Sequence, residues 1–184
     1  MTMTLTVAPV EEPVTLTELK DRLRIDTADD DAALAASIVA ARERVEVFTR
    51  RVLVTATYEL RLDAFPAWTL VVPRPPLQSV TKIEYIDTGG TLVTLAASGY
   101  TVDAKSAPGR IVPAYGTTWP ATRDQVNAVI VTLKAGYGLR EAVPRPLTDA
   151  LVLLVRALYD KGRATEDTAA AEALMWPYRA WAAA

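Results

Sequence analysis

Five groups of side chains in this chain have the types and spacing to do chemistry or to hold a partner. Asp26-Thr27-Ala28-Asp29-Asp30-Asp31 packs four carboxylates into six residues. A calcium loop needs such carboxylates, but also a glycine at its sharp turn and a bidentate glutamate at its end, and both are missing. Carboxylates here suit the positive end of a helix that starts near Asp30. Arg42, Arg44, Arg50 and Arg51 could meet phosphates. Glu43 and Glu46 dilute them, and helical spacing spreads them around the axis, so a solvated, salt-bridged face is expected. Gly136-Tyr137-Gly138 lacks the lysine and the glycine spacing of a phosphate loop and reads as the end of a strand. In Ala114-Tyr115-Gly116-Thr117-Thr118-Trp119-Pro120, a tryptophan packed on its own domain is expected before a ligand site. Trp176, Tyr178, Arg179 and Trp181 are the residue types that anchor interfaces. They either grip a partner or fold back onto a helical core.

Composition narrows the chemistry further. The chain has 184 residues and neither histidine nor cysteine. Ser–His and Cys–His nucleophile pairs, the commonest general acid/base and the commonest zinc ligands are therefore unavailable. No carboxylate pair, Lys–Tyr pair or Ser–Lys spacing stands out. The expectation is a protein that is not an enzyme, with no cofactor and no metal site. Net charge is −2, which does not argue for nucleic-acid binding. No apolar run approaches the roughly 18 residues of a membrane span, so no membrane partner is expected.

The elements that must position these residues read as α+β. Residues 1–14 carry two prolines and no helical period, and read as an extended N-terminal arm. Thr15 and Glu18 form a capping-box pattern ahead of a short helix marked by Leu16, Leu19 and Leu23. A second helix is predicted from Asp30 to Arg50, with Leu34, Ile38, Ala41, Val45 and Phe48 as its apolar stripe. The period then changes to two. Strands are predicted from Val52 to Leu62, at 70–72, from Val80 to Ile86, from Thr91 to Leu95, at 100–103, at 110–112 and at 127–134. Asp87-Thr88-Gly89-Gly90 is the clearest hairpin turn. Strand signals this dense, with no helix between them, imply a small antiparallel sandwich or barrel-like sheet. Pro144 and Pro146 open a third long helix with Leu147, Leu151, Leu154 and Leu158 on its apolar face, and Gly162 is expected to end it. Residues 163–171 are small and polar and read as a flexible joint before the terminal aromatics. The organisation expected is a helical core from 15–51 and 144–184, with an inserted antiparallel β domain at 52–143.

The phrases TLTELKDRLRID, DDDAALAASIVAARERVEVFTRR, YELRLDAFP, VPRPPLQSVTKIEYID, GRIVPAYGTTWPATRDQVNAVIVTLKAGYG and VPRPLTDALVLLVRALYD resemble head–tail connector proteins of tailed phages. These are also called head-completion or adaptor proteins, and they occur in prophages and gene transfer agents too. The likeness runs from about Val14 to about Tyr178, and PRPPLQSV and PAYGTTWPATRDQ are its most specific parts. The resemblance implies a structural protein of the virion, located at the head–tail junction and assembled in the bacterial cytoplasm. It implies a helical connector core, with the β-rich insert between the second and third long helices. It implies a homo-oligomeric ring, a dodecamer by symmetry matching, beneath the portal protein. The ring closes the DNA-filled head, lets packaged DNA pass its lumen without sequence-specific binding, and gives the tail-side stopper or tail terminator protein a platform. A closed ring requires heterologous interfaces, in which two different faces of the subunit meet. The resemblance carries no catalytic residues. On it, the segment from Thr165 onward, with Trp176, Tyr178, Arg179 and Trp181, is expected to reach toward the portal. The alternatives are a tail-completion protein that docks through the β insert, a particle-borne carboxylate-dependent hydrolase, and a DNA-binding regulator, which the net charge disfavours.

Overall fold

The computed structural model describes residues 1–180, apart from the side chain of Lys161. The chain forms two compact units. One is built from Val10–Val54 and the chain from Tyr137 onward, the other from Met1–Pro9 and Thr55–Gly136. Among the described residues no helix is long and apolar enough to cross a membrane.

The first unit is helical. It contains α1 (Leu16–Leu23), α2 (Asp31–Thr49), α3 (Arg145–Tyr159) and α4 (Ala164–Met175). The apolar stripes meet in one core, with Leu19 from α1, Leu34, Ile38 and Val45 from α2, Leu147, Leu151 and Leu154 from α3, and Ala171 and Met175 from α4. Each such buried leucine contributes about 2 kcal/mol relative to an exposed one. Both α1 and α2 stop at an arginine in the left-handed region, Arg24 at φ 58° and Arg50 at φ 55°. The left-handed residue turns the chain out of the helical path, a role that glycine more often fills.

The second unit is β-rich. Its strands are β1 (Thr2–Val7), β2 (Ala56–Leu62), β3 (Leu70–Val71), β4 (Leu77–Ile86), β5 (Leu92–Leu95), β6 (Tyr100–Asp103), β7 (Arg110–Pro113) and β8 (Val129–Ala135). A five-stranded sheet runs β1-β2-β8-β4-β5, and a three-stranded sheet runs β3-β7-β6. All pairings between these strands are antiparallel. Alternation sets the register: Tyr58 faces Leu133, Leu60 faces Val131, and Val131 faces Ile83, all buried. Two irregularities, after Leu77 and after Val80, bend β4. The β4–β5 hairpin closes where predicted. Asp87 N–H donates to Thr91 O at 2.9 Å, and Gly90 takes φ 90°, which favours glycine.

Several expectations need correction. Residues 1–14 begin in an extended strand that is built into the fold. Thr2–Val7 pairs with β2 at the edge of the larger sheet. In the helical unit, Val14 is fully buried and Glu11 and Glu12 hold Arg140 and Arg42. Residues 163–171 are not a flexible joint, because α4 begins at Ala164 and buries Asp167 and Ala171. The third long helix ends at Tyr159, before Gly162, which lies in the 3-10 turn Lys161–Arg163. The capping box is half made: Thr15 Oγ1 accepts from Glu18 N–H at 3.1 Å, while the Glu18 carboxylate takes Arg22 instead. The residues 52–54 and 137–143 lie in the helical unit, where Leu53, Val54 and Val143 enter its core, so the units divide at 54/55 and 136/137.

Candidate partner-binding surface

The terminal aromatics sit where α4 runs out. Met175 is fully buried and holds the end of α4 in the helical core. Trp176–Tyr178 then turns as a 3-10 helix, with Pro177 at a position where its missing N–H costs nothing. This turn folds back onto the C-terminal end of α2. Ala180 N–H donates to Thr49 O at 2.7 Å, and Arg51 Nε donates to the Tyr178 carbonyl. Phe48 and Trp176 pack with ring centroids 6.4 Å apart, tilted by 59°. The Arg179 guanidinium lies 5.8 Å from the Phe48 centroid and 5.5 Å from that of Trp176. Cation–π contacts of this kind contribute about 0.5–1 kcal/mol at exposed sites. Tyr137 belongs to the same neighbourhood: burial pushes its phenol pKa up, and the nearby Arg51 opposes that shift.

The four residues singled out from sequence therefore have different positions. Tyr178 and Arg179 are half-buried and committed to the fold-back. Trp176 touches Phe48 and Arg179 but leaves 55% of its surface exposed. Trp181 lies outside the described residues. The arrangement presents a partly exposed indole on a 3-10 turn that is hydrogen-bonded back to Thr49 and Arg51.

Elsewhere on α2 lies a charge cluster that sequence reasoning placed on a solvated face. Arg42 and Glu46 are buried, one turn apart on α2, with Nη1 to Oε2 at 3.2 Å. Arg42 Nε also donates to Glu12 Oε2 at 2.8 Å, and Glu46 Oε1 accepts from Leu53 N–H at 3.0 Å. Burial pulls the Arg42 pKa down, but Glu46 and Glu12 outweigh it, and the guanidinium stays charged. The cluster ties α2 to the segment before α1 and to the strand-like exit at Leu53. Glu11 does the same for the far end of the unit, taking both Arg140 N–H (2.9 Å) and Arg140 Nε (2.7 Å). Arg44 stays half-exposed, with Glu172 at 3.7 Å.

The other candidates resolve as follows. Asp31 opens α2 and takes Lys20 Nζ at 2.6 Å, and Asp30 accepts from the Tyr159 hydroxyl at 3.0 Å. Among the described residues no three metal-ligating side chains gather. In the β unit, Trp119 stacks on Phe65 at 4.7 Å, nearly parallel, and its Nε1 donates to Trp68 O at 2.8 Å. Tyr115, at the tip of the same loop, is fully exposed. Asp103 clamps the turn between β6 and β7. It accepts from Ser106 and Arg110 side chains and from Ser106 and Lys105 N–H, and the hydroxyl and guanidinium bonds hold its carboxyl far below the usual range.

Residues 13–81 match the family of phage gp6-like head–tail connector proteins. No curated protein matches the sequence. Among solved structures, the chain is similar over its full length to a protein in the neck of an empty gene transfer agent particle determined with C6 symmetry. There the identity is 26%, the TM-score is 0.84, and 98% of the other chain is covered. A chain of the native gene transfer agent virion has the same fold, with 22% identity and TM-score 0.81. So does one in the native neck determined with C12 symmetry, with 23% identity and TM-score 0.81. Each match covers 100% of this chain and 98% of the other. The family match spans α1, α2 and the strands to Thr81, and the structural match takes in both units. Residues 13–81 thus resemble the phage gp6-like head–tail connector family, and the whole chain, with its β unit between the second and third long helices, is similar in fold to a gene transfer agent neck protein.

Proposed function

We propose that this protein is a structural head–tail adaptor of a phage-like particle, one subunit of a ring at the head–tail junction. The observation that carries the reading is the full-length likeness, both units included, to a gene transfer agent neck protein, together with the connector-family match. A twelve-subunit ring fits the C12 symmetry of one neck with this fold. The ring would sit beneath the portal protein, close the filled head, pass DNA through its lumen and receive a tail-side protein on its other face. The role is architectural, with no catalytic step.

The surface supports a ring. Heterologous contacts need two different apolar faces on one subunit. Val39 and Val47 project from the side of α2 opposite its buried stripe, and Val47 is 67% exposed. Leu158, Tyr159 and Trp176 are exposed elsewhere on the helical unit. Trp176, with Tyr178 and Arg179 as its support and Trp181 beyond it, is the proposed portal contact.

The test is electron microscopy of particles made without this gene. Filled or leaking heads beside unattached tails are expected. Normal tailed particles would overturn the adaptor reading. The portal contact is tested separately, with Trp176→Ala and with a chain ended after Ala180. Portal binding unchanged in both variants excludes the C-terminal contact while leaving the adaptor role standing.

A further inference from the structure

We propose that the groove between the C-terminal turn of α1 and the end of α3 is a binding site for phosphate groups. Four guanidinia line it, from Arg22, Arg24, Arg156 and Arg163, around a cavity of ≈ 690 Å³. The one acidic residue of the lining is Asp160, whose Oδ1 is taken by Gly162 N–H at 3.0 Å. The inference does not depend on the adaptor reading.

The arginines divide into two pairs. Arg22 and Arg156 are fixed in place: Arg22 by Glu18 and Asp149, each at 2.7 Å, and Arg156 by Asp167 at 2.7 Å from Nε. A guanidinium has five N–H donors, so both keep donors outside these bonds. Arg24 and Arg163 are exposed and make no ion pair among the described residues. Arg24 stands on the left-handed residue that ends α1, so its direction is set by the backbone turn. Glu18, Asp149, Asp167 and Asp160 offset the charge, and Arg163 acts on Asp167 through space, so what the groove offers is a set of guanidinium N–H donors, two held in place and two exposed.

The donor set favours phosphate over carboxylate. One guanidinium fork matches the two oxygens of a carboxylate. A phosphate group offers more terminal oxygens and can bridge two or three guanidinia, which is what a four-arginine rim supplies. The cavity is also many times larger than a single ion needs. A nucleoside polyphosphate or a stretch of nucleic-acid backbone would fill it, and both present the same chemistry.

The test uses the full chain at low salt, with four probes: inorganic phosphate, a nucleoside triphosphate, a short labelled DNA duplex and a glutamate-rich peptide. The variant is Arg24→Gln with Arg163→Gln, which breaks no ion pair among the described residues. The control, Arg44→Gln with Arg123→Gln, removes the same charge elsewhere. We expect the triphosphate or the DNA to bind, with affinity falling about tenfold in the groove variant and the salt slope for DNA falling by about 2. The control should stay close to the parent. DNA binding that inorganic phosphate competes away identifies a nucleic-acid backbone as the source. Saturation by the triphosphate without DNA binding identifies a free phosphate ester. The proposal is overturned by any one of three results: no phosphate probe binds, the control loses as much as the groove variant, or the peptide binds as tightly as the best phosphate probe.

Discussion

Removing the Glu46 carboxylate should cost the helical unit a large part of its stability, although the residue sits among arginines and glutamates that read as surface. Glu46 is 5% exposed and does two things. Its Oε2 pairs with Arg42, and its Oε1 accepts the Leu53 N–H, on a residue that is itself fully buried. In Glu46→Leu the orphaned N–H costs about 1–3 kcal/mol. Stranding a buried charge costs about 3–5 kcal/mol, but Arg42 keeps Glu12, so roughly half of that applies. Together the loss is about 2.5–5.5 kcal/mol, against a total of about 5–15 for a typical domain. Glu46→Gln keeps an acceptor for Leu53 and loses only the charge, so it should cost about 1–2 kcal/mol. Pairing Glu46→Gln with Arg42→Met should cost less than the two singles added, because the residual charge then falls on Glu12, which has water beside it. The assay is urea unfolding followed by helical circular dichroism, which reports on the helical unit, with each variant first shown to have the same oligomeric state. At a slope of about 1–3 kcal/mol per molar, Glu46→Leu should lower the midpoint by about 1–5 M. A loss below about 1 kcal/mol would falsify the argument, as would equal losses for the leucine and glutamine variants.

Other consequences can be checked one by one. Arg156 outweighs burial at Asp167 and holds its carboxyl below the ordinary 3.8. A depressed carboxylate stabilises above its unfolded pKa and loses that contribution as pH falls through the folded value. Asp167→Asn should therefore melt lower than the parent at neutral pH, with the gap closing as pH falls below 3.8 and through the lowered folded value; a gap independent of pH would refute this. Gly109 lies against Leu77, where an added Cβ would come 2.5 Å from the leucine Cβ. Gly109→Ala should destabilise the β unit by about 1–3 kcal/mol in thermal unfolding, and a neutral result would mean that the turn shifts freely. Trp119→Ala breaks the stack on Phe65 and the bond to Trp68 O, and should cost about 2–4 kcal/mol, with a loss of near-ultraviolet dichroism. Val47→Lys should change stability by less than about 0.5 kcal/mol and yet reduce the fraction of rings seen by electron microscopy.

The long helices and the hairpins were legible because period alone specifies them. The stripe from Leu34 to Val45 and the alternation from Ala56 to Leu60 each bury the residues that the pattern marks. What failed to show had a local signal that was weak or was overruled from elsewhere in the chain. Ala164–Met175 has only Ala171 and Met175 as buried apolar contacts, so its periodicity is faint. Its alanines and its Glu166 and Asp167 at the first turn were the helix signal available. Thr2–Val7 alternates as a strand should, but its partner β2 is some fifty residues away, and most of its side chains face water. Arg42 and Glu46 look like an ordinary surface pair one turn apart. Only the arrival of Glu12 and of the Leu53 N–H makes burial tolerable there, and neither is visible from the helix itself. The same holds at the candidate surface. Residue types pointed to Trp176, Tyr178 and Arg179, but only the bonds to Thr49 and from Arg51 separate the exposed indole from the two residues that support it.

The separation between these sets of residues bears on how an adaptor can be dissected. Glu46, Arg42, Asp167 and Met175 are buried and hold the helical unit together. Val39, Val47 and Trp176 are exposed to a third of their surface or more. An exposed apolar side chain adds little to the stability of a free subunit, so substitutions there should leave folding intact and act on association alone. Substitutions in the buried set should act on folding first, and on association only through the loss of folded subunits. A subunit that must stay folded alone and then close a ring needs those two kinds of residue to be different ones. If Val47→Lys and Trp176→Ala both lowered the midpoint of the isolated chain as far as Glu46→Leu does, the exposed set would belong to the fold, and the ring contacts would have to be sought in the β unit.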